Sequence, residues 1–397
     1  MDFIELYNYV TKQTANNLPI KDSIKNNNQL NCLLNPQNFA PVWSLDKCDC
    51  KDNGKCAIAC PFNAIKIEDN IVKIDKNCCV GCGECVKACP SQNLVFSKDT
   101  ITAINLLKLE TPTFALLAPA FVGQFDGVSV GQLRSALKKI GFWGVIEVAT
   151  FADIITLKEA LEFKTYHKDN YQLTSCCCPI WIALINKQFS ALSAHLPQSA
   201  SPMVVAGRII KKLVPTANTI FIGPCQAKKA EAKNIQNCGI DCVLTFEELK
   251  DMFDVFNLNL SNLKEENKQH SSSAGRIYAK SGGVSQAIAT TVTALDSALQ
   301  ISYEVACGVP NCKKLLENIL LGNTTANFFE GMACPNGCIG GAKNLLPSQQ
   351  TEAKLVEYAN SSPYATPAQN PYVIYLLDLL GYTNINDFLE NCDLLKS

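Results

Sequence analysis

The chain has 397 residues, with 35 Lys and Arg against 36 Asp and Glu, a net charge of −1. So balanced a charge leaves no basic stripe for nucleic acid and no acidic tail for a charged partner, and no apolar run reaches the roughly 18 residues of a membrane span. The length allows two or three domains with substantial cores, and 21 cysteines are the feature left to explain.

The opening Met1-Asp2-Phe3-Ile4-Glu5 lacks the basic flank and apolar run of an export signal. A reducing, cytoplasmic setting is therefore expected, with thiols serving as metal ligands, not disulfides. Residues 1–46 are Asn-rich, with a short helix expected from Phe3 to Lys12 and a linker marked by Pro36 and Pro41. Residues 47–98 read as an α+β cluster domain. Its two cysteine sets flank Ala64-Ile65-Lys66-Ile67 and Ile71-Val72-Lys73-Ile74, which alternate like short strands, as in a bacterial-ferredoxin duplication.

The second set, Cys79-x2-Cys82-x2-Cys85-x3-Cys89-Pro90, has iron–sulfur spacing, whereas zinc sites come as paired C-x2–4-C knuckles. Tight turns let consecutive soft thiolates converge on one cubane. Cys79, Cys82 and Cys85 are expected to hold one 4Fe-4S cluster, with Cys89 directed to the other; by symmetry Cys60, followed by Pro61, crosses the opposite way. Cys48, Cys50 and Cys56 complete the first set at an irregular spacing, Cys48-x-Cys50-x5-Cys56-x3-Cys60. Cys78 reads as a bystander.

From residue 111 to 397 the pattern is α/β. Thr113 to Leu117 predicts a strand ending in Ala118-Pro119-Ala120. Ser129 to Ile140 puts Val130, Leu133, Leu137 and Ile140 on one helical face, with Gly141 as a C-terminal cap. Val145–Thr150 reads as a strand, Phe151–Phe163 as a helix, Thr219–Ile222 as a strand, and Val243–Thr245 opens another strand-to-helix unit. Ser261–Ser273 reads as a polar surface insertion, Lys313–Leu321 as a short helix, and Tyr372–Leu380 as the one apolar helix of the tail. This alternation implies a two-lobed domain of mixed, mostly parallel sheets covered by helices, with function at the strand C-terminal ends.

The remaining cysteine motifs fall at those ends: Thr174-Ser175-Cys176-Cys177-Cys178-Pro179, Pro224-Cys225-Gln226-Ala227-Lys228 and Met332-Ala333-Cys334-Pro335-Asn336-Gly337-Cys338. Cys178, Cys225, Cys334 and Cys338 each stand in a loop beside Pro or Gly, where backbone can approach a cofactor closely. Four thiolates can ligate one more cubane, and Lys228 is a cation suited to an anionic group nearby.

These residues closely resemble the FeFe (iron-only) hydrogenase family, whose large domain carries TSCCPxW, PCxxKxxE and ExMxCxxGCxxGG motifs. Here they stand as Thr174 to Trp181, Pro224 to Glu231 and Glu330 to Gly341. The resemblance implies an H-cluster, a 4Fe-4S cubane bridged by cysteine to a di-iron unit with CO, cyanide and an amine-containing dithiolate. Cys178, Cys225, Cys334 and Cys338 would ligate the cubane, and Cys338 would bridge to the di-iron unit. Lys228 would bind a cyanide, Met332 would pack beside the di-iron unit, Ala118-Pro119-Ala120 would lie under the other cyanide, and Tyr278 would line the pocket. Cys177 would be the proton donor, its thiol needing only a modest shift from about 8.5 to exchange protons near neutral pH. Glu159 and Glu162, i,i+3 on one helix face, match the carboxylate relay, or else form a solvated acidic face.

The chain departs from the family pattern in places. Cys176 adds a third consecutive thiol that could tune the pocket, bind the open iron or replace Cys177. Gly223 replaces the usual Met and is expected to loosen the packing. Pro197 stands where a relay serine belongs, sending the path through Ser199 or water. Cys32, Cys238, Cys242, Cys307, Cys312 and Cys392 read as packing thiols, and His167, His195 and His270 as surface residues. The resemblance implies an enzyme that interconverts protons and hydrogen, fed by a ferredoxin-like electron carrier and assembled by H-cluster maturation proteins. A low-turnover hydrogen sensor and a NARF-like iron–sulfur assembly protein without the di-iron unit are the alternatives.

Overall fold

In the computed structural model, which describes residues 1–25, 27–48, 54–166 and 171–397, the chain opens with a helix, Phe3–Ala15. Asp2 and Glu5 close a reciprocal capping box at its start, which satisfies two of the orphan amides of the first turn. Phe3, Leu6 and Val10 from this helix pack with Leu30, Leu33, Trp43 and Ile101, and the Tyr7 hydroxyl donates to Asp251 at 2.8 Å. The N-terminal segment is thus a packed layer against the larger domain, not a bare linker around Pro36 and Pro41.

Four short strands build the cluster region: β1 (Val42–Ser44), β2 (Ile65–Glu68), β3 (Ile71–Ile74) and β4 (Leu94–Phe96). β2 and β3 form an antiparallel hairpin whose turn residues, Asp69 and Asn70, both have positive φ; these are the short polar side chains that tolerate the left-handed region. β1 pairs antiparallel with β4, so a strand that precedes residue 47 belongs to the same small sheet as one near residue 95.

The strands that follow are β5 (Thr113–Leu117), β6 (Gly144–Glu147), β7 (Gln172–Leu173), β8 (Asn218–Gly223), β9 (Cys242–Thr245), β10 (Tyr303–Cys307) and β11 (Phe328–Met332). One sheet runs β6-β5-β8-β9 and a second β10-β11-β7, and every pair in both is parallel. All five residues of β5 are buried, as expected of a parallel strand covered on both faces. Its side chains alternate: Phe114 and Leu116 enter the core beneath helix Pro202–Leu213, while Ala115 and Leu117 face the core under helices Val130–Lys139 and Phe246–Val255. Helix Ala149–Tyr166 contributes Ile154 and Ile155 to the first of these cores and Ala160 and Phe163 to the core against β11, so it spans both lobes.

Residues 261–270 lie at the surface, as expected of an insertion, but the end of the segment does not. Ser271 and Ser272 are fully buried, because the buried Asp153 carboxylate needs donors: the Ser272 amide at 2.8 Å, the Ser272 hydroxyl at 2.6 Å and the Asn370 amide at 2.7 Å supply them. Burial without those bonds would cost a carboxylate several kcal/mol. The tail is also richer than one helix, with helices at Ser348–Asn360, Pro371–Leu379 and Ile385–Asn391.

Candidate metal centre

Four strand ends point at one volume. β5 runs into Ala118-Pro119, β7 into Thr174–Cys178, β8 into Pro224-Cys225, and β11 into Ala333-Cys334. Together they wall one cavity. Cys178, Cys225, Cys334 and Cys338 all line it, as do Cys177, Lys228, Met332, Ala118, Pro119 and Tyr278, with Val148, Ala152, Met203 and Phe221 completing an apolar wall. The cavity thiols retain partial surface exposure because they face this internal volume. The four sulfurs line one volume, as the ligands of a multi-iron cluster must.

The local chain geometry explains how the thiols are aimed. Ser175 has φ +68, turning the chain so that Cys178 caps helix Pro179–Gln188, with Pro179 at its first position. Trp181 of that helix donates from its indole N–H to the Thr174 carbonyl at 2.8 Å and lies flat on Gly331, where a Cβ would collide with the ring. The Thr174–Pro179 segment is thereby locked against β11, the strand that leads into Cys334. The Ala333 amide points at the Cys178 sulfur at 3.5 Å.

Burial pushes the Cys225 thiol up to about 11, with the neighbouring Cys178 adding to the effect. Cys334 and Cys338 are raised well above the ordinary thiol value by burial first and then by the other sulfurs around the cavity. Four soft ligands that repel one another as thiolates in an apolar pocket are a donor set suited to a cationic iron core. Lys228 is the counter-charge. Burial, the largest single influence, pulls its ammonium down, but the Glu231 carboxylate and the cavity thiols outweigh this and the net shift is upward. Its Nζ donates to Glu231 at 2.5 Å and to the Ser201 hydroxyl at 3.2 Å.

The two expected relay carboxylates part company. Glu159 is fully buried, accepts the Thr174 hydroxyl at 2.5 Å, and has its other oxygen without a hydrogen-bond partner among the described residues. Burial pushes it up to about 8, against the opposing effects of Thr174 and the nearby Cys176 thiol. Glu162 is partly exposed and ion-paired with Lys158. Glu159 therefore keeps its proton between about pH 4.3, where a free glutamate ionises, and about 8. Its contribution to stability is full below the lower value and is lost as pH rises toward the upper one. Unfolding free energy of the wild type should fall from about pH 5 to about pH 8 more steeply than that of Glu159→Gln, measured by chemical denaturation. Parallel profiles would show that the carboxyl is already ionised.

Three other expectations are corrected. Cys177 needs more than a modest shift: burial, then Cys178, raises its thiol well above the usual value, so it holds its proton at neutral pH. Gly223 does not loosen the wall, since a Cβ there would stand 2.8 Å from the Ala118 Cβ and 2.9 Å from the Phe221 ring, and Phe221 itself fills the lining. His195 and His270 are half-buried against Tyr171 and Tyr372, at 4.1 and 4.6 Å between rings; His167 lies outside the described residues. The buried Ser199 hydroxyl has no hydrogen-bond partner among the described residues. Cys176, also buried, donates to the Ala200 carbonyl at 3.7 Å.

In the cluster region a smaller cavity is lined by Cys60, Cys79, Cys82 and Cys85, which is the crossed grouping that the spacing predicts. Burial pushes Cys82 to about 11 and Cys85 to about 12. Cys48 and Cys89 are the thiols whose charges reach Cys56, forming a second group; Cys50 lies outside the described residues. Thr156 and Ser201 are partners that sequence reasoning passed over, and Thr174, Gln226 and Glu231 stood in the quoted motifs without an assigned role. Thr156 shares a 2.7 Å hydrogen bond with the Tyr278 hydroxyl, fixing that ring in the wall. Glu231 and Thr174 carried a signal as motif positions, Glu231 also standing i+3 from Lys228 on a helix.

Residues 111–342 match the family model described as iron only hydrogenase large subunit, C-terminal domain, and residues 72–94 match a 4Fe-4S binding domain. The chain is 25% identical over 401 residues to the NADP-reducing hydrogenase subunit HndD of Solidesulfovibrio fructosivorans, covering 85% of this chain and 64% of that protein. It is 22% identical over 295 residues to a probable cytosolic Fe-S cluster assembly factor of Aedes aegypti, covering 60% of this chain and 62% of that one. It thus spans less than two thirds of the length of either relative. A solved FeFe-hydrogenase structure concerned with oxygen inactivation superposes with a TM-score of 0.62 at 21% identity, over 75% of this chain and 97% of that one, a likeness of fold. No helix among the described residues is long and apolar enough to cross a membrane.

Proposed function

The chain belongs to the iron-only hydrogenase large-subunit family, and we propose that it is an FeFe hydrogenase that interconverts protons and electrons with molecular hydrogen. The observation that carries this reading is the meeting of Cys178, Cys225, Cys334 and Cys338 with Cys177, Lys228 and Met332 around one cavity. When bound, an H-cluster would supply the redox-active iron at which hydrogen is made or split. Cys178, Cys225, Cys334 and Cys338 would hold its cubane, and Lys228 would face an anionic ligand with its ammonium, steadied by Glu231. Met332, Phe221 and Pro119 would keep bulk water out of the cavity. Cys177 carries a proton on its sulfur at neutral pH and can deliver it into the cavity. Cys60, Cys79, Cys82 and Cys85, and the group of Cys48, Cys50, Cys56 and Cys89, would hold two 4Fe-4S clusters in a domain spanning 47–98, ahead of the catalytic domain at 111–397. A ferredoxin-like carrier would feed them, and maturation proteins would install the di-iron unit.

Protein matured anaerobically with H-cluster maturation proteins should show CO and CN stretching bands in the infrared and evolve hydrogen from a reduced low-potential dye. Cubane signals with no such bands would favour a second reading, a cluster-assembly protein, which the likeness to the Aedes aegypti assembly factor keeps in play.

A further inference from the structure

Helix Ala227–Asn234 begins directly after the Cys225-Gln226 pair, and one face of it is sewn to the N-terminal part of the chain. Gln226, Lys229 and Lys233 recur at i, i+3 and i+7 and so share that face. The Gln226 side-chain amide donates to the carbonyls of Pro41 at 3.1 Å and Ser97 at 3.0 Å. Lys229 Nζ donates to the same Ser97 carbonyl at 2.9 Å, and Lys233 Nζ to the Pro36 carbonyl at 2.8 Å. Gln226 is only 3% exposed. Two carbonyl acceptors demand two N–H donors, so the amide can point only one way.

The residues it grips close the small sheet at the cluster region, where the Ser97 amide donates to the Pro41 carbonyl at 2.9 Å. Beside them stands Gly81, between Cys79 and Cys82, with φ +71; a Cβ there would lie 3.1 Å from the Gln226 carbonyl oxygen and 3.2 Å from the Ala227 Cα. The loop of the smaller thiol cavity therefore touches the backbone of the Cys225 loop directly. We propose that Gln226 is the positioning residue that clasps these two loops together and so sets the gap across which an electron passes from the Cys60/Cys79/Cys82/Cys85 site to the cubane of the larger cavity. The role rests on the iron–sulfur reading above. The transfer moves one electron from a reduced cluster to an oxidised one, with no atom or proton exchanged.

Gln226→Met keeps the volume but removes the two amide N–H bonds that tie Pro41 and Ser97 to the Cys225 loop. The Pro41 carbonyl keeps only the Ser97 amide and the Ser97 carbonyl only Lys229 Nζ, so the clasp between the loops is weakened. Lys233→Met removes a bond from the same helix face, outside both thiol loops. In the anaerobic, iron-loaded holoprotein reduced with dithionite, the wild type should show electron paramagnetic resonance signals split by coupling between neighbouring clusters. Gln226→Met, at unchanged iron content, should lose that splitting and slow the reduction of the larger cavity's cubane after rapid mixing, while Lys233→Met retains both. Should Gln226→Met take up no iron, Gln226→Asn, with the same two donors on a shorter stem, carries the comparison. Splitting kept in the Gln226 variant, or lost equally in Lys233→Met, overturns the clasp. A wild type that loads iron at the N-terminal sites alone, with no splitting, sinks the iron–sulfur reading of the larger cavity and the clasp with it.

Discussion

Lys229→Met should lower the unfolding free energy by about 3–5 kcal/mol, the loss characteristic of breaking a buried ion pair from one side. The Lys229 side chain has no exposed surface, and its Nζ stands 2.9 Å from both Glu248 oxygens and 3.3 Å from Asp99. Removing the cation leaves two carboxylates facing each other in the interior. Glu248 is held in place by other donors, the Asp99 amide at 2.5 Å, the Thr245 amide at 2.9 Å and the Thr245 hydroxyl at 2.7 Å, so it cannot swing out to water. Lys229 lowers Glu248, although burial opposes it, whereas burial holds Asp99 above the usual carboxylate range. The variant's deficit should therefore grow as pH rises and both acids are pressed to ionise. Chemical denaturation of the wild type, Lys229→Met and the double variant Lys229→Met/Glu248→Gln checks this. The double variant should recover part of the loss, because the two positions share one network. A single variant within about 1 kcal/mol of wild type, the scale of an exposed pair, would mean that water reaches the cluster.

That ion cluster was invisible in the sequence, and the reason is general to this chain. Lys229 reads as the second lysine of a polar helix, and only the folding of residues 97–99 against it removes both from water. The same holds for Gln226, whose acceptors lie 185 and 129 residues away, and for Ser272, which looks like part of a polar insertion until Asp153 is buried beside it. What could be read was local: the apolar run of β5, the alternating strands that became β2 and β3, and cysteines set beside Pro or Gly at strand ends. Parallel sheets bring their strand C-terminal ends to one side, so the ends of β5 and β8 fall together, as do those of β7 and β11; that the two sheets face one cavity did not follow from the spacing. Side-chain electrostatics did not follow from spacing. Cys177 and Glu159 are shifted chiefly by burial, and Glu162, three residues from Glu159 on the same helix, is left near water.

Cys177→Ala should lower hydrogen evolution by about 10²–10⁴-fold, the range for removing a positioned general acid, while the infrared bands of the matured protein stay in place. Cys177 is the thiol in the motif that both lines the cavity and is none of the four proposed cubane ligands. Cys176 faces the other way, with its sulfur on the Ala200 carbonyl at 3.7 Å and close enough to Glu159 to favour the carboxylate form. On the proposed reading it would at most relay a proton between Glu159 and Cys177, since it does not line the cavity. Cys176→Ser keeps a hydroxyl donor there and should cost far less turnover than Cys177→Ala, while Glu159→Gln, which cannot release a proton, should slow both directions of the reaction. The contrast is informative because the lesions sit on one short stretch and leave the four proposed ligands untouched. If Cys176→Ser abolishes turnover and Cys177→Ala does not, the donor is Cys176, and the cavity wall must open toward it in the loaded protein.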